Sequence, residues 1–219
     1  MTNAHHQRPD LPEFMTWEQL EELPEEVAGQ IELWAGRVVW LRRGPGEHQE
    51  FSNLLWNGLR QSAKSAMGID PRQCWSVRTE TNVFFGDHGR SDFVTPDFMI
   101  HRCLGKAYSY VRGDDAVMVG EVLSPSNTDR DIEAKKARYA GAKIPWYWEV
   151  KLRGEHSAIE SVRIFALETS HGALPAGVRP LHPANYLLVG EWTPKDSDGI
   201  HFDHPFVIDL SWADLEFLT

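Results

Sequence analysis

Cysteine is scarce in this chain: Cys74 and Cys103 are the only two among 219 residues. A disulfide framework needs more of them, and a zinc site usually shows close pairs of ligands. The two fall in different predicted strands, so buried free thiols are expected, the common state of unpaired cysteine. His101 and Cys103 form an HxC pair. Nothing elsewhere answers it at ligand spacing, which argues against zinc. Long apolar runs are missing too, since no stretch reaches the ~18 residues that a membrane span needs. The opening segment, MTNAHHQRPDLPEF, is polar and holds no apolar run like a signal-peptide core. A soluble, cytoplasmic protein is the expectation. Positive charge is also in deficit, with a formal net charge of -10. That argues against a protein that coats nucleic acid by bulk electrostatics. It leaves room for an enzyme that meets nucleic acid through a local basic patch, and acidic residues suit metal-dependent chemistry. No internal repeat or low-complexity block is present.

What is there suits one globular domain with a sizeable core, since 42% of the residues are hydrophobic. Residues 1–15 read as a flexible leader and 16–219 as a single domain. Thr16 can cap a short helix over TWEQLEEL, stopped by Pro24. GQIELWAGRVVWL reads as a β-hairpin turning at Gly36. Gly44-Pro45-Gly46 breaks the chain. After it, Phe51, Leu54, Leu55 and Leu59 recur at helical spacing, which predicts a helix from about 47 to 66. WSVRTETNVFF and VTPDFMIH read as strands, and KAYSYVRGDD as a loop or short helix. AVMVGEVLS is almost continuously apolar, as a strand buried on both faces is. SPSNTD offers several N-caps for the helix RDIEAKKARYAGA, and WYWEVKL is the next strand. The strand–helix–strand unit at 116–150 is a natural parallel crossover. Later strands and a short closing helix in DLSWADLEFL complete an α/β domain with a mixed sheet.

Two carboxylates sit where carboxylates are costly. Asp97 follows Pro96 at the edge of an apolar strand, and Glu121 lies between MVG and VLS. Burial demands that each be paired, hydrogen-bonded or bound to metal. On adjacent strands they could share one divalent cation, because Mg²⁺ takes oxygen ligands and keeps several waters. Lys135 is the candidate cation of the following helix, where it would orient or deprotonate water or offset phosphate charge. Asp131, Lys135 and Tyr139 are four apart and share a helix face, while Lys136 points about 100° away. Each member also has a plainer reading. Asp97 could be a turn residue, Glu121 half of an ion pair, and Lys135 a partner of Asp131 at the surface. Glu32, between Ile31 and Leu33, could complete an acidic cluster or face solvent. His48 and Gln49 open the long helix and could touch a phosphate or cap the helix, with a capping or solvated role expected. The nine tryptophans, with Trp146 and Trp148 two apart on one strand face, read mainly as core, with an interface as the other role.

These motifs resemble the Uma-two family of restriction-endonuclease-like proteins, in the PD-(D/E)XK nuclease superfamily. The resemblance runs from TWEQLEELPEE and IELWAGRVV through His48, TPDFMI and GEVLSPSNTDRDIEAKKARYAGAKIPWYWEV, with a weaker match beyond residue 150. It implies a restriction-endonuclease-like core: a central mixed β-sheet flanked by helices, here with an added N-terminal β-hairpin and a β-rich C-terminal tail. It also implies Mg²⁺ or Mn²⁺ dependence and phosphodiester hydrolysis, most simply of DNA. Asp97 then takes the place of the PD aspartate and Glu121 that of the second acid, the two holding the metal. Position 123 is Leu where a lysine is usual, and Lys135 stands in from the following helix. Glu32 matches the glutamate of the early hairpin. The chain departs from the family at Ala35, where an aspartate is frequent, and at EVKL, which lacks a Val-Asp ending. The expectation is a metal-dependent, homodimeric endonuclease catalysing through Asp97, Glu121, Lys135 and Glu32. The alternatives are a non-catalytic nucleic-acid or protein interaction module on the same fold, and a structural dimer whose acids are satisfied by Arg78, Arg130 or Arg138.

Overall fold

The computed structural model describes residues 9–41, 44, 46–86, 89–106, 109–123, 127–154, 158–169 and 184–216. Most of the expected leader, Pro45, the Ser124–Ser126 part of the EVLSPS motif and the end of the closing helix lie outside the described residues. The chain is α/β. Two short helices, α1 (Trp17–Glu21) and α2 (Glu25–Ala28), precede a hairpin of β1 (Ile31–Trp34) and β2 (Arg37–Trp40). The long helix α3 (Gly46–Ile69) leads to β3 (Trp75–Thr79), β4 (Val83–Phe84), β5 (Phe93–Val94), β6 (Phe98–Arg102) and β7 (Val111–Arg112). Then follow β8 (Ala116–Leu123), α4 (Asp129–Gly141), β9 (Trp146–Leu152), β10 (Ile159–Glu168) and β11 (Asn185–Trp192). A small hairpin of β12 (Gly199–Phe202) and β13 (Ile208–Ser211) ends in a 3₁₀ turn over Trp212–Leu215.

The main sheet has six strands in the order β11-β10-β9-β8-β6-β3, and only β8 and β9 run parallel within it. That parallel pair is joined through α4, as a crossover requires. A second sheet has the order β2-β1-β5-β4-β7. Period-two alternation sorts the main sheet's residues between two layers. Met118 and Val122 of β8 and Trp148 and Val150 of β9 face the α3 side, where Phe51, Leu55 and Leu59 cover them. Val119 and Tyr147 face the other side, under Tyr139 of α4. Gly120 allows the closest approach, because a Cβ there would meet the Phe98 ring at 2.1 Å. β6 therefore lies flat against β8, which brings Asp97, the residue before β6, alongside Glu121.

Three expectations need correction. WSVRTETNVFF is not one strand. The chain turns at Glu80 (φ 43°), so β3 joins the main sheet and β4 the small one. Within KAYSYVRGDD, Val111–Arg112 form the short strand β7, parallel to β4, and the other described residues are loop or turn. The cysteines are not free buried thiols. Cys74 and Cys103 flank the antiparallel pair β3–β6, where Trp75 faces Arg102, and that register sets their Cα atoms 5.3 Å apart as an exposed disulfide. The leader is also tied down at its end: Met15 N–H donates to the Gly36 carbonyl, and Val38 N–H to that of Glu13. Among the described residues, no helix is long and apolar enough to cross a membrane.

The hairpin turn is the tight two-residue kind, with Ala35 at φ 51° and Gly36 at 84°. Glycine adopts that conformation freely. Alanine does so at a cost of roughly 1–2 kcal/mol, which asparagine largely avoids. Ala35→Asn is therefore expected to add ~0.5–1 kcal/mol and raise Tm by roughly 2–4 °C. Thermal and denaturant unfolding check this, and an unchanged or lowered Tm would contradict the assignment of the turn.

Candidate active site

The site grows out of strand β8. Glu121 belongs to the face that carries Val119, so it points under α4 and away from α3. Helix α4 starts at a capping box in which Thr128 and Asp131 satisfy each other's backbone N–H groups. One turn on from Asp131, the Lys135 ammonium donates to both Glu121 oxygens, at 3.0 and 2.9 Å. A further turn on, the Tyr139 hydroxyl donates to Glu121 Oε1 at 2.5 Å. The spacing of four places both groups on one face.

Two more carboxylates converge there. Glu32 comes from β1 of the small sheet and is 0% exposed. Its oxygens accept from the Thr95 backbone N–H (2.9 Å) and the Trp34 indole N–H (2.8 Å), and Oε1 lies 3.5 Å from the Lys135 ammonium. Its solvent-facing reading is thus overturned, because β1 is buried on both faces. Asp97 Oδ2 accepts the Val122 N–H at 2.7 Å, the peptide immediately after Glu121. The same oxygen lies 3.1 Å from His48 Nε2, at the start of α3. His48 is therefore neither a cap nor solvated. It is a member of the site, and nothing in its local sequence distinguished it from a surface residue. Asp97 and Lys135 keep 17% and 20% of their side chains exposed, against 0% for Glu32, so the pocket opens at those two residues.

The arginines named as satisfying partners do not fill this pocket. Arg138 pairs with Asp92, which also accepts the Ala35 N–H, and lies over the Trp34 ring at 5.1 Å. It anchors the hairpin to α4. Among the described residues no arginine pairs with Glu32, Asp97 or Glu121. Lys136 serves a separate buried acid, Glu149, which stands beside Glu121 in the β8–β9 register; the ammonium is 2.9 Å from it, and Arg163 adds a second cation. Adjacent lysines on α4 thus reach adjacent strands.

Burial pushes the Glu121 carboxyl up to about 7, with the charges of Asp97 and Glu32 adding to the rise and Lys135 and Tyr139 opposing it. For Lys135, burial alone would lower the pKa, but Glu121, Glu32 and Asp97 outweigh it and hold the ammonium charged. Burial and Glu121 raise the Tyr139 hydroxyl, which stays a donor. His48 is pulled down by burial, yet its hydrogen bond to Asp97 and the charges of Asp97 and Glu121 leave it raised. The pocket is short of positive charge. Three carboxylates face one lysine and one histidine, so a hard divalent cation with oxygen ligands fits the donor set. Among the described residues no group of three or more His, Cys, Asp or Glu is arranged around one ion position. A cation here would rest on two carboxylates and keep its waters, as Mg²⁺ commonly does.

A family model described as Uma2, "Putative restriction endonuclease", matches residues 17–181. Among solved structures, the chain is similar to the crystal structure of "a putative nuclease belonging to DUF820" from Anabaena variabilis. The two share 15% identity over 92% of this chain and 97% of that one, with a TM-score of 0.55. At that identity the likeness concerns the fold. No curated protein matches the chain.

Lys135 is the main charge that lowers the Glu121 value, so its removal has a pH signature. A carboxyl raised on folding contributes stability that is complete below its ordinary value and lost as pH rises through the folded one. For Glu121 that window runs from 4.5 to about 7. Lys135→Ala is expected to cost ~3 kcal/mol on the alkaline side of the window, the usual penalty for a widowed buried charge, and clearly less on the acid side. Denaturant unfolding at both ends checks this, and an equal loss at both would show that the pair is not coupled as described.

Proposed function

Since this chain belongs to the Uma2 family of restriction-endonuclease-like proteins, we propose that it hydrolyses phosphodiester bonds of nucleic acid, DNA foremost, with Mg²⁺ or Mn²⁺ held by Asp97 and Glu121. The observation that carries this reading is the Lys135 ammonium clasped by Glu121 and approached by Glu32, beside an Asp97 fixed to the next peptide of the same strand. A divalent cation in this pocket supplies a Lewis acid that acidifies water and offsets phosphate charge. Lys135 then acts as a fixed cation that orients the attacking water and faces the phosphate. The surrounding carboxylates favour its ammonium form against the effect of burial, which suits that role. Tyr139 holds the Glu121 carboxylate in one orientation. Glu32, locked by Thr95 and Trp34, keeps Lys135 in place from the opposite sheet. His48 contacts Asp97 at 3.1 Å from the start of α3 and so helps to position it.

A homodimer in the cytoplasm belongs to the same reading, since cutting both strands of a duplex calls for two such sites. The surface that supports it is the edge strand β11, where Leu187, Leu188 and Val189 are each about half exposed, at 53%, 53% and 50%.

The test is cleavage of supercoiled plasmid and single-stranded DNA with Mg²⁺ or Mn²⁺ by the purified protein, against Glu121→Ala, Lys135→Ala and His48→Ala. Wild type is expected to nick. Glu121→Ala and Lys135→Ala should lose at least about a hundredfold, as loss of a general acid–base or electrostatic group does. His48→Ala should lose less, because it acts through Asp97. Equal activity in Glu121→Ala would place the chemistry elsewhere. No cleavage by wild type, with Mn²⁺ binding that disappears in Glu121→Ala, would favour the interaction module.

A further inference from the structure

We propose that the groove between α3 and β3 is a track for a nucleic-acid strand, binding its phosphate backbone on the way to the Asp97–Glu121 pocket. The inference rests on the nuclease reading for the identity of its polyanion. Its physical basis is separate.

The groove measures about 670 Å³ and is walled by Trp56, Arg60 and Lys64 of α3 and by Trp75 and Arg78 of β3. No carboxylate lines it, although the chain as a whole carries a net charge of -10. Arg60 and Lys64 thus put two positive charges on one wall of an acid-free groove in a chain of negative net charge, and local charge of this kind focuses a polyanion. Among the described residues, Arg60, Lys64 and Arg78 make no ion pair, whereas Lys135, Lys136, Arg138 and Arg163 are each engaged with a carboxylate. All three rim cations are exposed.

The floor is rigid. The Trp56 indole N–H donates to the Val77 carbonyl at 3.1 Å, which pins the helix to the strand. The Arg60 guanidinium lies 5.2 Å above the Trp56 ring centre, so its direction is set before any ligand arrives. Trp75 is held by Gln73 and packs on Phe206. With both rings committed to the protein, the groove is built to grip sugar and phosphate and not to read bases.

The groove also points to the site. His48, on Asp97, begins α3, and Arg60 and Lys64 follow at about 18 and 24 Å along the helix axis. Those two are four residues apart and project from one face. On the strand side, Arg78 precedes Thr79, which faces Phe98 in the register, and Asp97 precedes Phe98. The Glu80 N–H donates to the Asp97 carbonyl at 3.3 Å. A strand lying in the groove would thus run from Lys64 past Arg60 toward the end of α3 that lies nearest the metal pocket. At about 3.4 Å per nucleotide, that distance is on the order of seven nucleotides.

Fluorescence anisotropy in EDTA tests this, with labelled single-stranded DNA, duplex DNA and RNA, each in a length that spans groove and site and in one too short to do so. The variants are Arg60→Ala/Lys64→Ala, the reversal Arg60→Glu/Lys64→Glu, and Lys195→Glu as an exposed control outside the groove lining. The alanine pair should weaken binding of the long single strand by about tenfold. It should also flatten the salt dependence, reducing the slope of log K against log salt by about 1.4, or ~0.7 per lost phosphate contact. The reversal should lose more. The short probe and the Lys195→Glu variant should show neither change, and Tm should fall by no more than the roughly 2–4 °C that loss of the Arg60–Trp56 contact costs. Which long probe binds best identifies the strand type. The proposal is overturned if affinity and slope are unchanged at unchanged Tm, if Lys195→Glu does as much as the groove variants, or if wild type binds none of the probes. The nuclease reading is judged apart from this. Groove-dependent binding without cleavage refutes catalysis and keeps the track, and Glu121-dependent cleavage with unaltered groove variants does the reverse.

Discussion

A single ammonium group ties this fold together. Lys135 extends from α4 into a space bounded by Glu121 of the main sheet and Glu32 of the small one. Burying any of the three without the others would cost several kcal/mol, since an isolated buried charge is among the most expensive things a protein can hold. Together they fix the helix over β8 and the hairpin over the helix. Arg138 and Asp92 repeat the arrangement at the hairpin turn. The N-terminal hairpin is therefore part of the pocket's wall, because the deepest of its carboxylates is on β1.

The same electrostatics that hold the elements together leave the pocket unbalanced. A purely structural cluster would tend toward neutrality, with every carboxylate met by a cation. Here Glu121 is pushed up to about 7 by burial and by its acidic neighbours. The pocket opens to solvent at Asp97 and Lys135. Next to it, Glu149 shows the balanced version, with Lys136 and Arg163 both upon it. Two buried glutamates on neighbouring strands thus have opposite characters, one neutralised and one held in deficit. The second has a donor set that an added hard cation would balance.

Much of this was legible in the chain. The apolar flanks of Glu121 and the proline-led strand at Asp97 marked both acids as out of place, and the spacing of Asp131, Lys135 and Tyr139 set a common face. The helix stripe of Phe51, Leu55 and Leu59, the turn at Gly36 and the parallel crossover at 116–150 followed from periodicity and turn chemistry. Other features were not legible. Glu32 between two apolar residues reads equally as inward or outward until a second layer covers β1. His48 at the head of a helix resembles any exposed polar residue. Its distance from Asp97 depends on how α3 lies across β6. The disulfide of Cys74 and Cys103 follows from the register of β3 with β6, which local pattern does not set.

The division has a physical cause. Period, capping and turn residues act over a few positions, so the sequence alone determined which segments become helices and strands, which faces are apolar and which carboxylates need partners. Partnership acts between segments far apart in the chain. Only the tertiary structure decided that Lys135 closes on Glu121 and Glu32 at once, that Arg138 is spent on Asp92, and that Arg60, Lys64 and Arg78 line one groove free of acids. Charges interact over distances that are short in space and arbitrary in sequence, so their pairing is set when the layers pack.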